Sequence, residues 1–447
     1  MKCRIRFLHK ILLVPFLGAI LSCSTSSSQK IEVNIEDNIN SDENGQNEVT
    51  SVKGKILSGY QGWFNTPTDG YNLGWKHYKI SGKFEPGICS IDYWPDLTEF
   101  TDKELFETSF IHSNGRKANV FSSTHPKTVD RHFKWMEEYG IDGVFVQRFV
   151  TNVRNQTTHN NINAVFNNCY QSSLDHNRLI SVMYDFSGSN QDIVENTIKD
   201  WKQLVDKYNI NQSSKKNLLT YNNKPIVALW GVGFKDREYT LENVRELIRF
   251  FKDDPVYGGC SILLGVPTGW RTLTRDCIND PVLHELIKSI DIVHPWTPGR
   301  YNSLNKANEH RQNYTKNDKA WCDANDLLYM PVVFPGFSWH NLKKGLGEEA
   351  DLGSIPRLKG EFLWRQFYNG ISENVETMYV AMFDEMDEGT CIFKVTDDVP
   401  IGDSPFLDYE GLPSDYYLWL TGKAGEMLRK EIPLTINQPQ YPNLNSF

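Results

Sequence analysis

Four carboxylates occupy five positions at Asp384-Glu385-Met386-Asp387-Glu388, directly after the apolar run 378–382 and directly before Gly389-Thr390. A strand that hands two or more acids to its C-terminal end, where a glycine turns the backbone, builds a general acid/base site. Like charges this close repel, so at least one member keeps its proton to higher pH, as an acid catalyst at neutral pH must. Glu385 and Glu388 are the pair expected to do chemistry, with Asp384 and Asp387 supporting or solvated. A solvated acidic loop and a calcium loop are the other readings. An apolar strand running straight into the acids speaks against the first, and the lack of the EF-hand ligand pattern against the second. Alternation along 381–385 puts Met382 and Asp384 on one face, Phe383 and Glu385 on the other. A turn beyond the strand would return Glu388 to the side of Glu385. A carboxylate separation of about 5–5.5 Å favours a retaining double displacement, and ~6.5–9.5 Å an inverting one.

Such a pair needs a frame. From about residue 53 onward, short β-rich runs alternate with helix-like stretches, which argues for an α/β fold with a parallel sheet. The predicted strands are 56–63, 143–149, 179–186, 225–231, 261–267, 291–296, 329–337 and 377–385. The predicted helices are 125–139, 160–174, 190–208, 241–251, 281–290, 306–325, 361–371 and 414–429. The first has Pro126 in its opening turn and Val129, Phe133 and Met136 on one face. This pattern spells a (β/α)8 TIM barrel with long βα loop insertions. A further strand-like run, 118–123, falls in a long insertion after the first strand. An open doubly wound sheet is the other arrangement, weakened because no G-x-G-x-x-G follows the first strand. Residues 54–447 are read as one catalytic domain.

Barrel enzymes carry their chemistry at the C-terminal strand ends. Here those ends bring aromatics beside polar groups: Trp63, Gln147 with Arg148, Asp185, Trp230, His294 with Trp296, Phe337 with Trp339, and the acid cluster. Aromatic faces stack on sugar rings, while Arg, Gln, Asp and His bind hydroxyls. Each has a plainer reading. Trp63, Trp230 and Trp296 could be core. Arg148 could neutralise Asp185 or a Glu in the mouth. His294 before Pro295 could be a structural histidine.

The N-terminus reads as a targeting segment. Lys2, Arg4, Arg6 and Lys10 precede an apolar stretch, 11–21, that is too short for an ordinary membrane span. It ends in Ile20-Leu21-Ser22-Cys23, which resembles the bacterial lipobox and implies cleavage before Cys23 and its acylation. A plain secretory signal with an incidental cysteine is the alternative. Residues 1–22 are thus expected to be a lipoprotein signal peptide. Residues 23–53, rich in Ser, Asn, Asp and Glu, are expected to form the acylated Cys23 and a flexible tether. The destination is the bacterial cell envelope, lipid-anchored at the outer membrane, with periplasmic or surface exposure left open. Removing the leader takes away four basic residues and no acid, so the net charge goes from −9 to −13. An acidic surface argues against nucleic acid and against a polybasic lipid patch. The six cysteines beyond Cys23 show no C-x-x-C and no paired Cys/His spacing, so zinc is not expected. No cofactor or metal is implied, and a monomer is expected.

Four blocks carry a family resemblance: Gly59-Tyr60-Gln61-Gly62-Trp63-Phe64; Phe121-Ser122-Ser123 with Thr128-Val129 and His132-Phe133; Gly140-Ile141-Asp142-Gly143-Val144 leading to Gln147-Arg148-Phe149; and Phe383-Asp384-Glu385-x-x-Glu388-Gly389-Thr390-x-Ile392. Together they resemble glycoside hydrolase families 71 and 99, (β/α)8 enzymes acting on α-linked glycans. Family 99 includes endo-α-1,2-mannosidases and mannanases. The resemblance covers most of residues 54–430, and its most specific part is E-x-x-E-G-T. It implies that Glu385 is the base that deprotonates the sugar 2-hydroxyl and Glu388 the general acid/base, with an anhydro sugar formed and then opened by water. Three positions depart from the family 99 block: Met386 stands for Trp, Phe393 for Glu, and Asp387 fills the variable position.

The expectation is therefore a membrane-anchored glycosidase that cleaves a polysaccharide or oligosaccharide with retention. In the plainer retaining scheme Glu385 is the nucleophile. The departures at Met386 and Phe393 motivate the alternative, a non-catalytic glycan-binding lipoprotein on the same scaffold. A metal-dependent hydrolase combining the acid cluster with His294 is a third option.

Overall fold

The computed structural model describes residues 49–442. The leader, Cys23 and the tether up to residue 48 lie outside the described residues. The packed domain begins ahead of the expected boundary at residue 54. Val52 is fully buried, and its N–H donates to Thr220 O at 2.8 Å.

The strands are β1 (Lys55–Tyr60), β2 (Phe106–Ile111), β3 (Lys117–Val120), β4 (Gly143–Phe149), β5 (Leu179–Asp185), β6 (Thr220–Tyr221), β7 (Lys224–Trp230), β8 (Ser261–Val266), β9 (Ile292–Pro295), β10 (Leu328–Tyr329), β11 (Val332–Val333) and β12 (Thr377–Val380). The main sheet runs β10-β9-β8-β7-β5-β4-β1-β12-β11, with every neighbour on that path parallel. β10 and β11 are halves of one barrel strand, split at Met330-Pro331. The first half pairs with β9 and the second with β12. Met330 N donates to Val293 O at 2.9 Å, and Tyr379 N to Pro331 O at 3.0 Å, so the ring closes across the split. The result is the expected (β/α)8 barrel. The continuous strand expected over 329–337 is instead short and broken, because Pro331 and Pro335 have no N–H to give a ladder.

In the insertion after β1, the run expected over 118–123 appears as β3, paired antiparallel with β2. The helix expected over 125–139 is Pro126–Tyr139, which buries Val129, Phe133 and Met136 and stops at a left-handed Gly140. The helix expected over 306–325 is realised as Leu304–His310, a π turn Arg311–Thr315, and Lys316–Asp323.

Period-two alternation sorts side chains between two cores. Leu57, Phe145, Met183, Ala228, Leu263 and Ile292 fill the barrel. Ile56, Val144, Val146, Val182, Tyr184 and Leu229 meet the surrounding helices. Gly59 lies on the inner face, where a Cβ would fall 2.0 Å from the Tyr379 hydroxyl, so only glycine lets that phenol cross the barrel. All six described cysteines are buried and free, as expected of small hydrophobes. Among the described residues no helix is long and apolar enough to cross a membrane.

Candidate active site

The acids sit beyond the last barrel strand, not on it. β12 stops at Val380, and the chain folds into a loop that closes on itself. Met382 N donates to Thr390 O, and Ile392 N donates back to Met382 O, both at 3.1 Å. Gly389 turns the loop at φ 62°, and a Cβ there would come within 2.8 Å of Ser338 N. Strand alternation therefore does not reach the acids. Gln61 serves neighbours that alternation would separate: its backbone N donates to Asp384 Oδ1 (2.8 Å) and its Nε2 to Glu385 Oε1 (3.0 Å). Glu388 follows in the same loop, and its charge adds to the rise of the Glu385 carboxyl.

Burial decides the protonation of this group. Asp384 is fully buried and pushed up to about 7, even though Gln61 N and Gly62 N both donate to it at 2.8 Å. Burial, and then the charges of Glu388 and Asp387, hold Glu385 well above the usual carboxylate range. Its oxygens accept from Gln61 Nε2 and from Thr390 Oγ1 (2.5 Å), which pull the other way. Glu388 is pushed up to about 7 by burial, with Asp387 adding and Lys343 opposing. Two acids that repel each other do not lose their protons together, so the pair gives up its protons in successive steps that belong to both. Acid-assisted cleavage of an acetal needs one such acid protonated and a second ionised.

Glu388 opens onto a cleft of about 750 Å³, lined also by Trp296, Phe337, Trp339, Arg300 and Asp351. Trp296 meets Trp230 edge-on with centroids 5.1 Å apart. Lys343 lies 4.5 Å from the centre of the Trp339 ring. Arg300 is tied to Asp276 at 2.9 Å. The cleft thus offers indole surface beside one carboxyl group able to hold a proton.

The remaining predicted residues divide by strand parity. Gln147, Asp185, Trp230, His294 and Trp296 follow the inward register. Gln147 Nε2 donates to the Tyr379 hydroxyl at 3.2 Å. Asp185 accepts from Ser187 N at 2.7 Å, and burial pushes it up to about 6. His294 lies deep in the barrel, its ring 4.6 Å from Tyr379, and burial brings it down to about 3, which leaves it neutral. Among the described residues no group of three or more His, Cys, Asp or Glu is arranged to hold a metal ion.

Arg148 points the other way. It shares the parity of Val144 and Val146 and is completely buried against the helices. There its Nε and Nη2 donate to Asp200 at 2.7 and 2.5 Å. Its partner is therefore Asp200, not Asp185 or a mouth glutamate. Trp63 is no free platform either: His77 stacks on it at 3.8 Å and Phe149 at 5.6 Å. Trp339, named at a predicted strand end, lines the cleft, and a residue not singled out from sequence is His77, whose Nδ1 donates to Asp387 Oδ2 at 3.0 Å. Nothing in the local sequence around His77 signals that contact, which joins the insertion to a loop 310 positions further along the chain.

A parallel barrel with a carboxylate pair after its last strand is an architecture of glycoside hydrolases, and the comparisons point the same way. No family model matches the chain. Over 113 residues it is 27% identical to a glycoprotein endo-alpha-1,2-mannosidase-like protein of Danio rerio. That stretch is 25% of this chain and 24% of the relative, so the chain matches about a quarter of the relative's length. The family 99 endo-alpha-mannosidase of Bacteroides thetaiotaomicron, in complex with Bis-Tris propane, superposes with a TM-score of 0.59 at 15% identity. The match covers 85% of this chain and 98% of that one. A second structure, of the family 99 endo-alpha-mannosidase of that organism, agrees equally well. The resemblance read from the four sequence blocks is borne out at the level of an endo-α-mannosidase-related fold.

Proposed function

We propose that this protein is a retaining glycosidase that acts on a polysaccharide or oligosaccharide from the bacterial cell envelope, where Cys23 anchors it by lipid. The observation that carries the reading is the pair Glu385 and Glu388, one enclosed by donors and one opening onto an aromatic cleft. Glu388 protonates the leaving oxygen and later activates water. Glu385 acts as nucleophile, or as base toward the sugar 2-hydroxyl if the family 99 route is followed. α-Mannosides are the first substrates to try, since both relatives carry that name.

Glu388→Gln should lower turnover by roughly 10²–10⁴-fold while sparing glycan binding and the folding midpoint. Near-wild-type activity in that variant would overturn the assignment, and the product anomer seen by NMR at early times tests retention. For the anchor, Cys23→Ser should move the protein from the membrane fraction to the soluble one. Unchanged membrane association would rule that part out.

The glycan-binding alternative drew on Met386 and Phe393. Both are buried at 0% and 1% exposure and pack in the core around the acid loop. Neither lines the cleft, so these departures leave the surface offered to a glycan unchanged.

A further inference from the structure

Asp387 lies in the middle of the acid group with one oxygen held and the other left over. His77 Nδ1 donates to Oδ2 at 3.0 Å, while Oδ1 is buried with no partner. The residue is 6% exposed. His77 is itself clamped. Its ring stacks flat on Trp63, 3.8 Å between centroids and 5° between planes, and its carbonyl accepts from Ser90 Oγ. The insertion after β1 therefore holds this one side chain of the loop after β12, the strand beside β1.

A buried carboxylate with one unsatisfied oxygen is costly and acts strongly on its neighbours. The groups facing Asp387 are His77 and Tyr78 from the insertion and Asp384, Glu385 and Glu388 from its own loop. Lys343, from the helix His340–Gly345, acts on Glu388 in the opposite sense. Glu385 and Glu388 both feel the Asp387 charge.

We propose that Asp387, gripped by His77, is a positioning residue whose charge sets the pH window in which the Glu385–Glu388 pair carries a single proton. The proposal rests on the reading of that pair as the acting acids. A negative charge beside the pair favours its protonated forms, so removing it moves both proton losses to lower pH. Asp387→Asn keeps the shape and removes the charge. His77→Phe keeps the stack on Trp63 and removes the N–H, which leaves the carboxylate less compensated and moves the losses the other way.

The test is the pH profile of kcat/KM on whichever glycan the wild type cleaves, for wild type and both variants. With Asp387→Asn the whole bell should move toward acid by about one pH unit, giving about tenfold loss at pH 8 with retained or increased activity at pH 5. His77→Phe should move it toward alkali. A merely structural defect would lower the profile at every pH without moving it, and that outcome overturns the proposal.

A second readout needs no substrate. Carboxyl carbons of labelled Glu, assigned with Glu385→Gln and Glu388→Gln, should titrate at lower pH in Asp387→Asn. Should no glycan be cleaved but these titrations move, the glycosidase reading fails and the charge-setting role stands. If they coincide with wild type, the role is wrong whatever the activity. If Asp387→Asn does not fold, His77→Phe decides the matter by the direction of its shift.

Discussion

At the scale of residues, the instructive pair is Gln147 and Arg148. Adjacent strand residues point to opposite faces, so only one of them can serve the barrel mouth. Both faces of this strand are apolar, as in any sheet covered on both sides, so hydrophobicity alone does not tell which face is inner. Parity with Phe145 sends Gln147 inward, and Arg148 goes to the helix layer, where Asp200 and Asn163 accept from it. Tyr184 and His159 complete the same buried cluster through Asp200. That cluster holds the Asp200 carboxyl far below its ordinary range, with Arg148 the largest favourable cause acting against desolvation. Arg148→Met should therefore cost about 3–5 kcal/mol by leaving a buried carboxylate unpaired. Chemical denaturation measures it. If the loss stays under about 1 kcal/mol while glycan affinity collapses, Arg148 is a substrate ligand after all.

At the scale of elements, strand and helix positions were legible because length, periodicity and punctuation agreed. The expected strand 143–149 and helix 361–371 match Gly143–Phe149 and Glu361–Ile371 in full. The segments that escaped are those whose form is set by distant partners. The acid loop is shaped by its own return bonds and by the loop after β11. Ser338 N donates to Glu388 O at 2.9 Å. Asp92, from the insertion, accepts from Ser338 Oγ, His340 N and Asn341 N, and its own N donates to Met386 O. Three segments far apart in sequence are thus sewn together behind Glu388. No local pattern of apolar and polar residues encodes such a contact, so the geometry around the acids was not available from spacing, although their identity was.

At the scale of the molecule, the barrel is uneven around its circumference. β4 and β5 share seven register pairs, whereas β10 with β9 and β11 with β12 share two each. Pro331, at the junction of those halves, contributes a carbonyl but no N–H. Native-state hydrogen exchange should find the amides of Met330 and Tyr379 opening with less free energy than those of β4 and β5. Equal protection all round the ring would refute this. The split strand leads directly to Phe337 and Trp339 in the cleft wall, so the ring is compliant on the side of the cleft and stiff on the side opposite. A closed barrel with one soft quarter behaves less like a cup than like a clasp: it can widen beside the cleft onto which Glu388 opens while the β4–β5 wall keeps its shape.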